Sequence, residues 1–158
     1  MKKFRFTIFI FFMFLLTVFI TGCQKHYQNP EIPVIDVDIT IDPNSTIFLE
    51  LNVPGGWCYL DNKPGVYIPL ASRGIIVYRQ DMYTFKAYER TPPNEPNKCC
   101  NSDHSLCSKL TVDYPFMVDS CTGIKYNILD GGIVEGDGVY PVIQYKTHFN
   151  GYLLRIYN

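Results

Sequence analysis

Three patterns in the sequence predict an all-β protein. Short runs rich in Val, Ile, Tyr and Phe alternate with clusters of Gly, Pro, Asn and Asp, which is typical of strands separated by turns. No segment of helical length after the N-terminal apolar run has the i, i+3, i+4 apolar stripe of an amphipathic helix. Residues 34–41 alternate between apolar and polar side chains, as a half-buried strand requires. These patterns favour one β domain over residues 34–158.

The predicted strands follow from local alternation and apolar runs. The first strand places one set of side chains on the buried face: Ile35, Val37, Ile39 and Ile41. Ile47, Leu49 and Leu51 repeat that alternation and predict a second strand. Apolar and aromatic runs predict further strands at 74–79, 84–89, 124–129 and 142–147.

Two connections are also informative. Asn150 and Gly151 separate the last two apolar runs and predict a tight hairpin turn, because both residue types tolerate positive φ. Residues 91–108 have no periodicity and are rich in Pro, Asn, Ser and Cys. Loops of this length are uncommon in compact domains, so we expect covalent or side-chain ties to hold this one.

The N-terminus has the features of an export signal. Lys2, Lys3 and Arg5 precede a mostly apolar run over residues 6–20, which is short for a membrane span and typical of a signal peptide. The run ends in Ile-Thr-Gly-Cys at residues 20–23, which resembles the lipobox of bacterial lipoproteins. That resemblance implies a signal peptide at 1–22, lipidation of Cys23, a polar tether at 23–33 and an address in the cell envelope, on the periplasmic or cell-surface side of a membrane.

The charge balance argues against nucleic acid as a partner. Of 14 Lys and Arg, three lie in the predicted signal, which leaves 11 against 15 Asp and Glu and a net charge of −4 for the mature chain. The remaining positive charges are scattered singly, whereas nucleic-acid binding requires a basic patch or stripe.

A series of motifs over the second half of the chain resembles one known family. In order they are Gly-Ile-Ile-Val-Tyr-Arg (74–79), Phe-Lys-Ala-Tyr-Glu-Arg-Thr-Pro-Pro-Asn (85–94), Asp-Ser-Cys-Thr-Gly-Ile-Lys-Tyr (119–126), Asn-Ile-Leu-Asp-Gly (127–131), Gly-Asp-Gly-Val-Tyr-Pro-Val (136–142) and Leu-Arg-Ile-Tyr-Asn (154–158). Their order and spacing resemble the Rieske [2Fe-2S] domain family. The resemblance implies a Rieske-like antiparallel β-sandwich with a loop-rich, former cluster-binding subdomain at 91–131.

The four cluster ligands of that family are absent. The Cys-x-His of the first loop falls on Pro92 and Asn94, and the Cys and His of the second loop fall on Asp119 and Thr122. A Rieske centre requires two thiolates and two imidazoles. Proline offers no ligand, and the other three are hard oxygen donors unsuited to sulfide-bridged iron. The sequence therefore predicts a degenerate domain without a cofactor, with a [2Fe-2S] centre of unusual ligands as the alternative.

With Cys23 lipidated, five cysteines remain, and an oxidising compartment favours disulfides. In the Rieske family a disulfide often joins the two cluster loops, and Cys121 falls on the cysteine of the second loop. The resemblance thus implies a loop-tying bond, for which we predict Cys107 as the partner. A second bond from Cys58 to Cys99 or Cys100 is possible, but connectivity is not readable from sequence.

A metal site is the rival interpretation of the cysteine-rich loop. The candidate ligands are Cys99, Cys100, His104, Cys107 and Cys121. The short Cys-x-x-Cys spacing of structural zinc sites is missing, and an oxidising compartment favours disulfides, so the sequence predicts no metal. His104 is then expected to be a solvated loop residue.

No motif indicates catalysis. Gly-x-Ser-x-Gly and His-Glu-x-x-His are both absent. We therefore expect that the protein is not an enzyme. We expect a binding or structural module of the envelope, whose partner is an envelope protein or ligand. The alternatives are an electron-transfer protein and a β-sandwich that binds carbohydrate or peptide through exposed aromatic side chains.

Overall fold

The computed structural model describes residues 28–158 and confirms the all-β class. Its strands are β1 (Asp38–Ile41), β2 (Trp57–Tyr59), β3 (Ile75–Arg79), β4 (Phe85–Glu89), β5 (Thr111–Asp113), β6 (Phe116–Val118), β7 (Lys125–Asn127), β8 (Ile133–Glu135), β9 (Gln144–Phe149) and β10 (Leu154–Tyr157). Two 3₁₀ helices lie at Thr46–Asn52 and Leu60–Asn62. The predicted strands at 74–79, 84–89, 124–129 and 142–147 correspond to β3, β4, β7 and β9.

The strands form two antiparallel sheets. The larger has six strands in the order β1-β10-β9-β4-β3-β2, and the smaller has four in the order β5-β6-β7-β8. The smaller sheet is an insertion, since its strands lie between β4 and β9 in sequence. The chain leaves the large sheet at Glu89, runs through the loop at 91–108, builds the small sheet and returns at Gln144.

Both faces of the large sheet are covered. On one face, the first 3₁₀ helix contributes Phe48 and Leu51 to a core that also contains Val77 and Leu154 of the sheet. On the other face, Ile76 and Tyr88 pack with residues of the small sheet and its connections. Every residue of β3 is buried. A strand covered on both faces has a continuous apolar run, and this explains the unbroken Ile-Ile-Val-Tyr pattern.

The alternation at 34–41 is confirmed, although regular pairing starts only at Asp38. The four apolar side chains of this alternation are buried: Ile35, Val37, Ile39 and Ile41. The ladder begins at Asp38, opposite Tyr157, because β10 ends there. The Asn158 side chain continues the pairing: its Oδ1 accepts from the Val37 N–H at 2.9 Å and its Nδ2 donates to the Ile35 carbonyl at 2.7 Å.

The predicted strand at 47–51 is wrong, because this segment forms a 3₁₀ helix. Phe48 and Leu51 are buried, whereas Ile47 and Leu49 are 43% and 62% exposed. The buried pair is three residues apart, which fits the 3₁₀ repeat and not the two-residue repeat of a strand. Phe48 itself departs from helical geometry, with φ −117° and ψ 40°, so the segment is kinked at this residue.

The hairpin at Asn150 and Gly151 is confirmed, although only Gly151 of the two has positive φ. Phe149 pairs with Leu154, and Gly151 has φ +96° in the connection between them. The Asn150 Oδ1 accepts from the Tyr152 N–H at 2.9 Å, which closes the turn.

Within residues 28–158, none of the helices has the length and apolar character needed to cross a membrane. The predicted signal and Cys23 lie outside the described residues.

Candidate functional site

The two loops in which the resemblance places the cluster ligands are joined by a disulfide. Cys99 of the loop at 91–108 bonds to Cys121 of the loop at 119–123, with 5.9 Å between their Cα atoms. Cys121 thus joins the two loops, as the resemblance implies. Its partner, however, is Cys99.

The predicted Cys107–Cys121 bond is therefore wrong. Cys107 bonds to Cys100, seven residues before it, with Cα atoms 4.0 Å apart. These two residues face each other in an isolated antiparallel bridge, and the Asn101 N–H donates to the Leu106 carbonyl at 2.9 Å. The local hairpin directs the Cys107 side chain toward its own loop, which sequence spacing does not reveal.

Cys58 forms neither of the predicted second bonds. It is a buried free cysteine on β2, in the core on the opposite face of the large sheet. Burial raises the pKa of the Cys58 thiol to about 12. A thiol in this environment is protonated at neutral pH and is a poor nucleophile.

Asn94, at a position of the first ligand pair, has all of its side-chain hydrogen bonds satisfied. Its Oδ1 accepts from the backbone N–H groups of Val139 and Tyr140 at 2.8 and 3.0 Å. Its Nδ2 donates to the Tyr126 hydroxyl and to the Tyr140 carbonyl, each at 2.9 Å. An amide has two donors and two acceptor lone pairs. Asn94 uses three of them to join the first loop to residues 139–140 before β9 and the fourth to join it to Tyr126 on β7.

Asp119 and Thr122, at the second ligand pair, hydrogen-bond to each other within a turn. The Thr122 Oγ1 donates to Asp119 Oδ2 at 2.6 Å, and the Cys121 N–H donates to Asp119 Oδ1 at 3.0 Å. The Gly123 N–H closes the turn on the Asp119 carbonyl at 2.8 Å, with φ +77° at Gly123. Asp119 is fully buried, so its carboxylate serves the loop backbone.

These four residues do not fit a [2Fe-2S] cluster. Pro92 has no donor atom and is buried, and the side chains of Asn94, Asp119 and Thr122 are engaged with protein groups. Their donor atoms are also amide, carboxylate and hydroxyl groups, whereas iron-sulfur centres use thiolate and imidazole. We call these four residues, on which the resemblance places the cluster ligands, the loop plug; within it Thr122 donates to Asp119, while Asn94 bonds to Tyr126, Val139 and Tyr140.

A buried carboxylate beneath the loop plug was missed by the sequence reasoning. Glu89, fully buried at the end of β4, accepts from Ser72 Oγ at 2.6 Å, from Tyr145 Oη at 2.8 Å and from Thr91 Oγ1 at 2.7 Å. It also accepts from the backbone N–H of Arg73 at 2.9 Å. Burial and the Glu89 charge raise the pKa of Tyr145. The available signal was a lone acidic residue at the end of a strand whose other residues are Phe, Lys, Ala and Tyr.

Arg73 ties the same region to the long loop. Its Nη1 donates to the Pro96 carbonyl at 2.6 Å and to the Ser108 carbonyl at 3.2 Å. Burial lowers the pKa of Arg73, while the charges of Glu89 and Asp119 oppose that shift. The expectation that the long loop needs ties is thus confirmed: two disulfides and Arg73 hold it.

A second surface feature is the open edge of the large sheet. Strand β2 ends the strand order, and a cleft of about 520 Å³ lies beside it. The lining residues are Glu50, Gly55, Gly56, Trp57, Cys58, Tyr59, Asn62 and Lys63. The cleft therefore combines edge-strand backbone with an ion pair and two aromatic residues.

Tyr59 is not a free platform for a sugar ring. The Arg90 guanidinium lies 3.8 Å from the centroid of its ring, and its hydroxyl accepts from the Val112 N–H at 2.8 Å. Trp57 meets it edge to face, with 5.1 Å between ring centroids. These aromatic side chains mainly join the two sheets.

The cysteine-rich loop brings three potential metal ligands together, two cysteines and one histidine. The ligand atoms of Cys100, His104 and Cys107 all lie within 4.8 Å of one another. His104 is exposed, as the sequence predicts. Cys99 and Cys121 lie outside this group and form their own disulfide, while the sulfurs of Cys100 and Cys107 are joined as a disulfide within it.

In comparisons with known proteins, no family model matches the chain, and no curated protein matches it in sequence.

Proposed function

We propose that this chain is a lipid-anchored module of the cell envelope that binds or supports other molecules on a Rieske-like frame whose cluster has been replaced by the loop plug. The observation that carries the proposal is the hydrogen bonding of Asn94 and Asp119. Both stand at ligand positions, both are buried, and both use their side-chain atoms to hold the protein's own loops. A site filled in this way stabilises structure and leaves no ligand for iron.

The topology supports the Rieske-like part of the proposal. The small sheet is inserted between β4 and β9, and the loops at its ends contain the residues on which the family's ligand positions fall. The Cys99–Cys121 bond joins these loops at the cysteine that the resemblance singles out. The domain retains a loop-rich end, now held by covalent and hydrogen-bonded ties.

The position of the N-terminal segment adds an orientation to the proposed anchor. Asn29 is buried, and its Nδ2 donates to the Pro93 carbonyl of the first loop at 2.9 Å. Ile32 is buried as well, so the described part of the predicted tether lies against the domain. Six residues separate Cys23 from Asn29 and span at most about 20 Å. A lipid on Cys23 would therefore keep the loop end of the domain near the membrane.

Reconstitution with iron and sulfide under anaerobic conditions tests the clusterless frame. The native protein should bind no stoichiometric iron and show no Rieske-type visible spectrum. The matched variant restores the four ligands by Pro92→Cys, Asn94→His, Asp119→Cys and Thr122→His. If the frame is Rieske-like, that variant should take up two irons per chain once circular dichroism shows it folded.

The two arms test different parts of the proposal. Stoichiometric iron and sulfide in the native protein would contradict the loop plug. A folded four-ligand variant that takes up no iron would contradict the Rieske-like frame.

Fractionation tests the anchor. Cys23→Ser should release the protein from the membrane fraction or leave its signal uncleaved, whereas Cys58→Ser should leave both unchanged. Normal processing and membrane association of Cys23→Ser would contradict lipidation.

A second candidate function is peptide binding at the open edge of β2. The Arg79 N–H donates to the Gly56 carbonyl at 2.8 Å, and Gly55, with φ +86°, forms a bulge at this end of the ladder. Hydrogen-bonded pairs alternate along an antiparallel ladder, so the backbone groups of Trp57 and Tyr59 point to the open edge. An extended peptide pairs with such an edge through its main chain.

Two substitutions at one position test the edge. Trp57→Pro and Trp57→Ala both remove the indole, but only proline removes the outward N–H. Peptides selected from a linear library should bind Trp57→Ala and lose binding to Trp57→Pro, and should slow hydrogen exchange at the Tyr59 amide. Equal binding to both variants would contradict strand addition.

A further inference from the structure

The loop around His104 is built as a compact hairpin. Cys100 and Cys107 face each other across it, and Asn101 closes it: its Oδ1 accepts from the Leu106 N–H at 2.9 Å and its Nδ2 donates to Ser105 Oγ at 2.9 Å. These bonds fix the distance between the cysteine backbones independently of the disulfide. The loop would therefore keep the two sulfurs close after reduction.

His104 has an unusual backbone at the tip of this hairpin. Its φ is +57°, and its N–H donates to the Asn101 carbonyl at 3.0 Å. Non-glycine residues in the left-handed region are uncommon and cluster at functional sites. This conformation places the imidazole with the sulfurs of Cys100 and Cys107, so that all three ligand atoms lie within 4.8 Å of one another.

We propose that reduction of the Cys100–Cys107 bond opens a site for a thiophilic cation such as Zn²⁺, with Cys100, His104 and Cys107 as its three protein ligands. Two thiolates and one imidazole match the donor preferences of zinc, and three protein ligands leave the fourth tetrahedral position to solvent. A dithiol supplies two electrons and two protons to the disulfide and leaves as its own disulfide. Zn²⁺ then displaces the two thiol protons, while His104 coordinates as the neutral imidazole.

The surroundings give access to this site. His104 and Cys107 line a cleft of about 390 Å³, together with Arg73, Leu106 and other residues. The Arg73 Nη2 lies 3.8 Å from the Cys100 sulfur, in position to donate a hydrogen bond to a metal-bound thiolate. Second-shell donors of this kind orient metal ligands. The cleft admits both the reductant and the cation.

The proposed site is separate from the bond that ties the two loops. Cys99 and Cys121 form their own disulfide. Opening Cys100–Cys107 therefore requires no change in the covalent link between the loops at 91–108 and 119–123. In the oxidised protein the same sulfurs bond to each other, so metal binding is coupled to the redox state of this loop.

The test uses the full-length chain in detergent with Cys99→Ser and Cys121→Ser, so that the other disulfide contributes no thiols. Two derivatives are made from this parent. One adds His104→Ala, and the other, the serine pair, adds both Cys100→Ser and Cys107→Ser. Circular dichroism establishes that each is folded. Zn²⁺ is titrated before and after reduction with a phosphine, in competition with a chromophoric chelator, and Co²⁺ reports thiolate coordination by its charge-transfer and visible bands.

The parent should bind one Zn²⁺ per chain after reduction and none before it. The serine pair should lose binding, and His104→Ala should weaken it by about 100-fold or more, because loss of a direct ligand costs at least as much as the roughly 10- to 100-fold loss on removing an outer-shell partner. Equal affinity in parent and His104→Ala, or no Zn²⁺ uptake by the reduced parent, would overturn the proposal. If the parent does not fold, His104→Ala in the otherwise native sequence is compared with the native protein after reduction. The same loss of Zn²⁺ affinity is expected.

Discussion

Removing the Cys99–Cys121 bond should destabilise the domain more than removing the Cys100–Cys107 bond. A disulfide stabilises mainly by restricting the unfolded chain, and the effect grows with the length of the loop that it closes. The two bonds close loops of 22 and 7 residues. The chain-entropy relation gives about 3.4 kcal/mol for the first bond and about 2.4 kcal/mol for the second.

These free energies correspond to measurable shifts in melting temperature. An unfolding entropy of about 2.1 cal/mol/K per residue, applied to residues 28–158, converts them to decreases of about 12 and 9 °C. The larger decrease has a structural reason as well. Cys99–Cys121 joins two loops that contact each other without regular pairing, whereas Cys100–Cys107 lies in a hairpin that has its own hydrogen bonds.

The assay compares two double variants, Cys99→Ser with Cys121→Ser and Cys100→Ser with Cys107→Ser, by differential scanning calorimetry and urea unfolding. Serine at both positions avoids unpaired thiols that would exchange with the remaining bond. Limited proteolysis should cut the first variant earliest within residues 91–108. A peptide map of the native protein that pairs Cys107 with Cys121, or a larger stability loss in the second variant, would refute the reasoning.

Three further outcomes are expected. Among residues 28–158, Tyr88 carries a buried hydroxyl without a hydrogen-bond partner, so Tyr88→Phe should keep or raise the free energy of unfolding. Tyr145→Phe should lower that free energy by about 1 to 3 kcal/mol, because Glu89 loses a hydrogen-bond donor. Urea unfolding of both variants measures the difference, and a larger loss for Tyr88→Phe would contradict it. Cys58 should resist iodoacetamide at pH 8 until the protein unfolds, because burial raises the pKa of its thiol to about 12; mass spectrometry that finds it alkylated in the native protein would exclude this. Burial raises the pKa of Tyr126 to about 12, above the value near 10 in unfolded chains. The folded state favours the neutral phenol, so Tyr126 makes its full contribution to the free energy of unfolding below about pH 10. That contribution is lost as the pH rises toward 12, at about 1.4 kcal/mol per pH unit. Tyr126→Phe should flatten that decline in unfolding experiments from pH 9 to 12, and an unchanged slope would show that other groups cause it.

The fold class and much of the strand pattern followed from the sequence because they depend on local periodicity. The alternation from Ile35 to Ile41 and the apolar run of β3 identify buried faces without knowledge of their partners. The prediction of a strand at 47–51 failed, because residues 46–52 form a kinked 3₁₀ helix that buries Phe48 and Leu51. Apolar residues at 47, 49 and 51 fit a strand, and only packing against the core distinguishes the two.

The sequence also determined the donor chemistry of the four residues on which the resemblance places the cluster ligands, because the identity of a side chain fixes its donor chemistry wherever it lies. Pro92, Asn94, Asp119 and Thr122 are poor iron ligands in any fold. Only the tertiary structure decided what they do instead, and which cysteines meet. Asn94 bonds to residues 32 to 46 positions away, and Cys121 bonds to Cys99 because the insertion of the small sheet brings two loops to the same end. Contacts of this kind depend on how strands are ordered in space, and local patterns contain no information about that order.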